Sequence, residues 1–340
     1  MKSGEEHMNT LKKILDRFPE ATDIHFTENG TVMVREGGAL VTAENTDAAL
    51  LGKEIWDSLS AEKRSVCTTE KVCDASLEES GVRIRVHLYR AGGLFCGALR
   101  ILPSLDRVEK DPDEAWIEEV ADLETGLVII SGPSGSGKST TLARILTRIG
   151  EKRACHIVTL EDPAEYLISS SRALVHQREV GEDVKDFAEG IRESLREDPD
   201  VIAIGEMRDK ETVQAALMAA ETGHLVIATL HNGNAREALG RMIHTFPGEE
   251  QKEIRGILVD VLQSVSAQRL WQGEEKTVLL REILWNTPAV SNLIRQGREE
   301  QIASYMETGT KQMRTLKQAA YRLKKVTAEE RKEILAYIEK

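Results

Sequence analysis

Four runs constrain the fold of this chain most: "GLVIIS" (126–131), "HIVTLE" (156–161), "VIAIGE" (201–206) and "HLVIATLH" (224–231). Each is nearly continuous in Val, Ile and Leu, without the polar alternation of a strand that keeps one face in water. Such strands must be covered on both sides. Stretches of helical period separate them, so the chain from residue 121 is predicted to be a parallel α/β sheet. In such a sheet the carboxyl ends of the strands gather at one crevice, and the residues just after each run decide which ligand binds there.

The first run is followed by "SGPSGSGKSTTLARIL" (131–146). Residues 132–139 fit G-x-x-x-x-G-K-[ST] without a mismatch, with a strand before and an amphipathic helix after (Leu142, Ile145, Leu146, Ile149). Glycines let backbone N–H groups curl around a phosphate, and the new helix adds its positive end. A nucleoside triphosphate is therefore expected across Gly132, Pro133, Ser134, Gly135, Ser136, Gly137, Lys138, Ser139 and Thr140. Lys138 would reach the β- and γ-phosphates, and the Ser139 hydroxyl would meet Mg²⁺. No N-K-x-D signature for reading guanine is present.

Hydrolysis needs a second acidic group beside the γ-phosphate. The third run ends in Glu206, preceded by Gly205 where many P-loop enzymes carry Asp, so Glu206 is expected to serve alone. The second run ends in Glu161, Asp162 and Glu165. Three carboxylates so close repel one another unless a cation shares the site, although Asp162-Pro163 also suits a plain turn. His224 and His231 bracket the fourth run. An extended strand would part them by roughly 23 Å, which excludes one shared metal; at least one is expected to sense the γ-phosphate.

The remaining chain reads differently. Residues 9–18 put Leu11, Ile14, Leu15 and Phe18 on one helical face, Asn29-Gly30 marks a hairpin, and "VRIRVHLYRAGGLFCGALRIL" reads as two strands joined near Gly92-Gly93. A small α+β domain is expected over 1–103, a linker over 104–120, where the stretch "PSLDRVEKDPDEAW" (103–116) brings two prolines and mixed charge together, and the α/β domain over 121–340. Its part beyond 245 reads as mostly helical, with Ile254, Ile257, Leu258, Val261, Leu262 and Val265 as one stripe. A net charge of −12 argues against a dedicated nucleic-acid binder. The four cysteines form no C-x-x-C pair, so neither structural zinc nor a disulfide framework is expected. No apolar run approaches the roughly 20 residues of a membrane span, and the start lacks a signal-peptide pattern; a cytoplasmic location is expected.

"GPSGSGKSTT", "TLEDPAEY", "QREVG", "LREDPDVIAIGEMRD" and "AAETGHLVIATLHNGNA" follow one another in an order and spacing that resemble the ATPases of type II secretion and type IV pili. They correspond to that family's Walker A, Asp box, Walker B and His box. "ATDIHF" and "VRIRVHLYR" resemble motifs of its first domain, so the likeness covers nearly the whole chain. The short retraction branch fits best, because the longer N-terminal region and four-cysteine element of assembly and secretion ATPases are absent here. The resemblance implies a PAS-like N-terminal domain, a RecA-like ATPase domain, a homohexamer, and a peripheral position against a platform protein at the inner face of the membrane. It also implies that Glu165 polarises the attacking water, with Glu161 as the alternative. Glu206 would organise Mg²⁺, His224 and His231 would line the site, and Arg83 and Arg85 would approach the γ-phosphate.

The sequence departs from the retraction branch at "AVSNLIRQ" (289–296), where Ser291 and Gln296 replace Arg and Glu. The expected function is a motor for pilus retraction and twitching motility. The alternatives are a pilus assembly, competence or type II secretion ATPase and, from another class, a nucleotide-binding regulatory module without turnover.

Overall fold

The computed structural model describes residues 9–102, 105, 108, 110–168, 170–273, 276–308 and 312–339. The chain divides into two compact units. One is built from residues up to 108 together with 165–167, and the other from the rest of the chain beyond 108.

The first unit is a six-stranded antiparallel sheet in the order β3-β2-β1-β6-β5-β4, with β1 Ala21–Thr27, β2 Val32–Glu36, β3 Ala39–Thr42, β4 Val72–Glu79, β5 Val82–Ala91 and β6 Leu94–Ile101. Gly92 and Gly93, both at positive φ, turn β5 into β6. The strands alternate. Ile84, Val86 and Leu88 of β5 are buried with Leu11 and Ile14 of α1 (Asn9–Arg17) and Leu51 and Ile55 of α2 (Ala48–Ser58). Arg83, Arg85, His87 and Tyr89 take the other face. Helix α3 (Ala61–Glu70) packs on β4.

The second unit is a seven-stranded sheet in the order β13-β12-β7-β11-β10-β8-β9. Strands β7 (Gly126–Ser131), β8 (His156–Glu161), β9 (Leu174–Glu179), β10 (Val201–Ile204), β11 (Leu225–Leu230) and β12 (Leu262–Gln272) run parallel, and β13 (Thr277–Trp285) closes one edge antiparallel to β12. The apolar runs are explained by two cores. Leu127 and Ile129 of β7 pack on one face with α7 (Lys210–Glu221), α8 (Ala235–His244) and α9 (Gln251–Val261), while Val128 and Ile130 pack on the other with α4 (Glu114–Ala121) and α5 (Lys138–Lys152). Helix α6 (Phe187–Ser194) joins the first of these faces through Ile191. Beyond β13 come α10 (Pro288–Arg295), α11 (Ile302–Thr308), α12 (Leu316–Arg322) and α13 (Ala328–Ile338).

Two expectations need correcting. The helical stripe through 265 ends at Val261, and residues 262–285 form β12 and β13 within the sheet, so the part beyond 245 is not simply helical. A strand buried on both faces carries apolar residues at any spacing, and its i, i+3 matches mimic a helix. Of the linker expected over 104–120, residues 104, 106, 107 and 109 lie outside the described residues, and its second half is α4, whose Trp116, Ile117 and Val120 are buried against α5.

Just ahead of α4, Asp111 takes a two-pronged contact from the fully buried Arg281 of β13, at 2.5 and 2.9 Å. Burial alone would raise the Asp111 carboxyl, but the Arg281 hydrogen bonds and charge and the Asp113 N–H outweigh it and hold the carboxyl below its ordinary range. The linked stability is therefore fully present above the usual aspartate value of about 3.9 and is lost as pH falls through the depressed value. Asp111→Asn should cost up to about 3–5 kcal/mol at pH 7, the scale of breaking a buried pair. In urea melts the gap to wild type should narrow below about pH 4; an equal gap at both pH values would show that Asp111 is not held ionised.

Candidate nucleotide site

The carboxyl edge of the second sheet carries the P-loop after β7, His231 after β11, Glu206 after β10 and Glu161 at the end of β8. Residues 132–139 leave β7 and enter α5. Three glycines there have positive φ: Gly132 at 153°, Gly135 at 74° and Gly137 at 85°. At Gly132 a Cβ would lie 2.4 Å from the Gln268 carbonyl and 2.5 Å from Ser136 Oγ, so only glycine fits. Lys138, 9% exposed, folds back so that Nζ donates to the carbonyls of Gly132 (2.9 Å) and Pro133 (3.1 Å). Ser139 and Thr140 are half-buried at the start of α5.

The loop is fixed from β11 on its other side. Gly132 N donates to Leu230 O, and Ser131 Oγ both donates to Asn232 O (2.8 Å) and accepts from Asn232 N (3.1 Å). These bonds hold His231, the residue between, at the same edge. His231 Nε2 lies 3.0 Å from Glu206 Oε1, and Arg208 Nη2 lies 2.6 Å from Glu206 Oε2. Burial would raise the Glu206 carboxyl, but the Arg208 hydrogen bond and the His231 and Arg208 charges bring it below the ordinary range. Glu206 is thus an ionised carboxylate, 17% exposed, with both oxygens engaged by groups that are themselves largely open to solvent.

Not every expected residue comes to this edge. His224 stands before β11, at the opposite end of that strand, where Nδ1 meets Ala219 O (3.0 Å) and Thr222 Oγ1 (3.1 Å) at the end of α7. About 20 Å of strand separates it from the P-loop of its own chain, so its expected place in that site is corrected. Glu161 ends β8 with Oε1 accepting from Thr159 Oγ1 (2.7 Å) and Gln177 Nε2 (2.9 Å). Glu165 is exposed in the segment after β8, and Asp162 lies close enough to Arg208 to add to the charge that keeps it protonated. In the first unit Arg83 Nη2 donates to Ser76 Oγ (2.7 Å), and Arg85 stands across the ladder from Arg100.

The structure also adds residues that sequence reasoning missed. Gln268 of β12 is wholly buried against the loop, with Nε2 donating to Ser136 O (2.7 Å). Arg208 carries no signal in the sequence beyond that of an ordinary surface charge. Gly205 has its own reason: a Cβ there would lie 3.0 Å from Leu160 O and 3.3 Å from Glu161 Cα, so a side chain at this position, where many P-loop enzymes carry Asp, would press on backbone that must shift by a few tenths of an ångström.

The residues present fit a nucleotide with its cation. The glycine cradle tolerates no Cβ at Gly132, and the Ser136 hydroxyl inside it is buried without a protein partner among the described residues. Ser139 and Glu206 would be the donors for Mg²⁺.

The profile described as "Type II/IV secretion system protein" matches residues 102–334. The chain belongs to the type II/IV secretion ATPase family. It is 38% identical over 296 residues to the type IV pilus retraction ATPase PilT of Pseudomonas aeruginosa, covering 85% of this chain and 86% of that protein. It is 47% identical over 214 residues to the uncharacterized protein YggR of Escherichia coli K12, covering 62% of this chain and 66% of that one. The crystal structure of the pilus retraction motor PilT with bound ADP superposes with a TM-score of 0.84 at 36% identity, over 97% of both chains. Membership makes the protein an ATPase with the mixed α/β fold of these relatives. Among the described residues no helix is long and apolar enough to cross a membrane.

Gly205→Ala should lower stability by about 1–3 kcal/mol, because the neighbours that must yield are backbone atoms. A thermal midpoint equal to wild type would show that the strand ends can part at no cost.

Proposed function

We propose that this chain is the subunit of a homohexameric motor that hydrolyses ATP to ADP and phosphate and drives retraction of a type IV pilus. The observation that carries the reading is the meeting of the P-loop, Glu206 and His231 at one strand edge, in a chain alike over nearly its full length to a pilus retraction motor. The first unit is proposed to be PAS-like and the second RecA-like, with the boundary in the region 104–120. The motor would work at the inner face of the cell membrane against a platform protein embedded there, without entering the bilayer itself.

In this reading Lys138 leaves its two loop carbonyls for the β- and γ-phosphates. Mg²⁺ held by Ser139 and Glu206 would neutralise charge on the phosphate oxygens. Glu165 polarises the attacking water; Glu161, with an oxygen already taken by Thr159 and Gln177, is the weaker candidate. His231, bonded to Glu206, reports the γ-phosphate to the loop that begins α8. Arg83 and Arg85 supply positive charge in the assembled ring. Arg85 stands across the ladder from Arg100, whose own charge is met by Asp23 at 3.1 Å, so of the two it is Arg85 that is offered for this role.

Lys138→Ala should abolish ATP binding. Glu206→Ala and Glu165→Ala should bind ATP yet lose about two to four orders of magnitude in turnover. Full activity in Glu165→Ala would move its role to Glu161, and wild-type binding without turnover would favour a regulatory module.

The direction of force is tested at α10. Val290 and Ile294 are buried against the body of the unit, while Arg295 is exposed and paired with Asp260 at 2.7 Å. Arg295→Ala should shift stability by under about 0.5 kcal/mol and leave the ATPase rate near wild type. It should still impair pilus function in cells. Deletion of the gene should leave long, immobile pili; cells without pili would assign the chain to assembly instead.

A further inference from the structure

Gln268 meets the phosphate loop at both of its ends. Its backbone carbonyl packs where a Cβ of Gly132 would stand, and its side-chain amide donates to Ser136 O and lies against Gly137. A loop that binds phosphate through inward N–H groups must turn its carbonyls away from the ligand. The bond from Gln268 does this for Ser136.

Behind Gln268 runs a line of buried hydrogen bonds whose direction is forced. Arg281 Nη2 donates to Thr141 Oγ1 at 2.9 Å, and Thr141 Oγ1 lies 3.1 Å from Gln268 Oε1. Arginine has no acceptor, so the Thr141 oxygen must accept from it and give its single proton to Gln268 Oε1. That choice leaves the Gln268 amide nitrogen facing Ser136. Thr141, Gln268 and Arg281 are each at most 1% exposed, so no water substitutes for a missing partner. The far end is anchored in the segment 111–116: Arg281 is gripped by Asp111 on both nitrogens and lies 5.1 Å over the ring of Trp116, while Asp113 is shared with Arg314.

We propose that Gln268, Thr141 and Arg281 are positioning residues for nucleotide binding, which hold the phosphate loop in its binding shape from the segment 111–116. The inference rests on the P-loop being the nucleotide cradle. Neither Glu206 nor His231 touches this line, so its loss weakens binding and leaves the hydrolytic groups in place.

The test measures the Kd of a fluorescent ADP analogue, kcat and the thermal midpoint on the full chain. Gln268→Leu and Thr141→Val should each raise Kd about three- to tenfold, the size of one hydrogen bond's net contribution, with kcat at saturation within about twofold of wild type. Thr141→Ser keeps the hydroxyl and should restore wild-type affinity. The double variant Arg281→Met with Asp111→Leu removes both buried charges and leaves Asp113 to Arg314. Replacing a buried pair by apolar groups is often neutral or stabilising, so its midpoint should stay near wild type while Kd rises. Wild-type affinity in Gln268→Leu, or in the double variant, overturns the proposal. Failure of the wild type itself to bind the analogue would instead sink the P-loop reading on which it rests.

Discussion

The site depends on β7 being held on all sides. It is hydrogen-bonded along its length to β11 and β12, and its alternate residues enter two different cores. Each fully buried Leu, Val or Ile contributes about 1.5–3 kcal/mol relative to exposure, so Leu127–Ile130 make this strand costly to displace. A glycine loop is otherwise the most permissive backbone available. Attaching it to the end of such a strand removes that freedom at one end, and the first turns of α5, with Leu142, Ile145 and Leu146 buried, remove it at the other.

The two sides of the loop are then handled by different chemistry. Toward β11 the contacts end in groups that solvent reaches: His231 and Arg208 are well exposed, and Glu206 between them is ionised. Such a carboxylate can exchange partners when a cation or phosphate arrives, because its present bonds are to side chains that water can re-solvate. Toward β12 the contacts are buried, and no exchange is open to them without leaving a donor or acceptor unpaired. One side is built to change and the other to stay.

This division explains which parts were legible in the sequence. The apolar runs announced the parallel sheet because burial on both faces leaves a composition that water-facing strands do not have. The glycines and Lys138 announced the loop because few other backbones need them. Strand β12 escaped because Ser264, Ser266 and Gln268 are buried polar residues inside an apolar stretch, and Leu262 with Val265 continued the period of α9. Arg281 carried a signal that could have been used: a charge inside "VLLREILW" must find a buried partner. That partner, Asp111, lies 170 residues away in chain, a distance no local pattern reports. His224 was placed at the site by family likeness although the length of β11 already set it at the other end. Gly205 shows the reverse case, a departure from pattern that only the neighbouring Leu160 carbonyl explains.

A buried line of polar groups is a poor way to gain stability. Taking Arg281 and Asp111 out of water costs several kcal/mol per ion, roughly what their attraction returns, and a well-packed apolar set of equal volume would do as well or better. What apolar packing cannot supply is direction. Leucine in place of Gln268 would fill the same space and leave the Ser136 carbonyl free to swing toward the ligand, where it would oppose a phosphate. Each bond in the line from Arg281 through Thr141 and Gln268 permits one orientation of the next group, so the last of them decides which way a carbonyl points. The segment 111–116, at the start of the second unit, is where that decision begins. The phosphate loop is thereby tied to the segment 111–116 of its own unit.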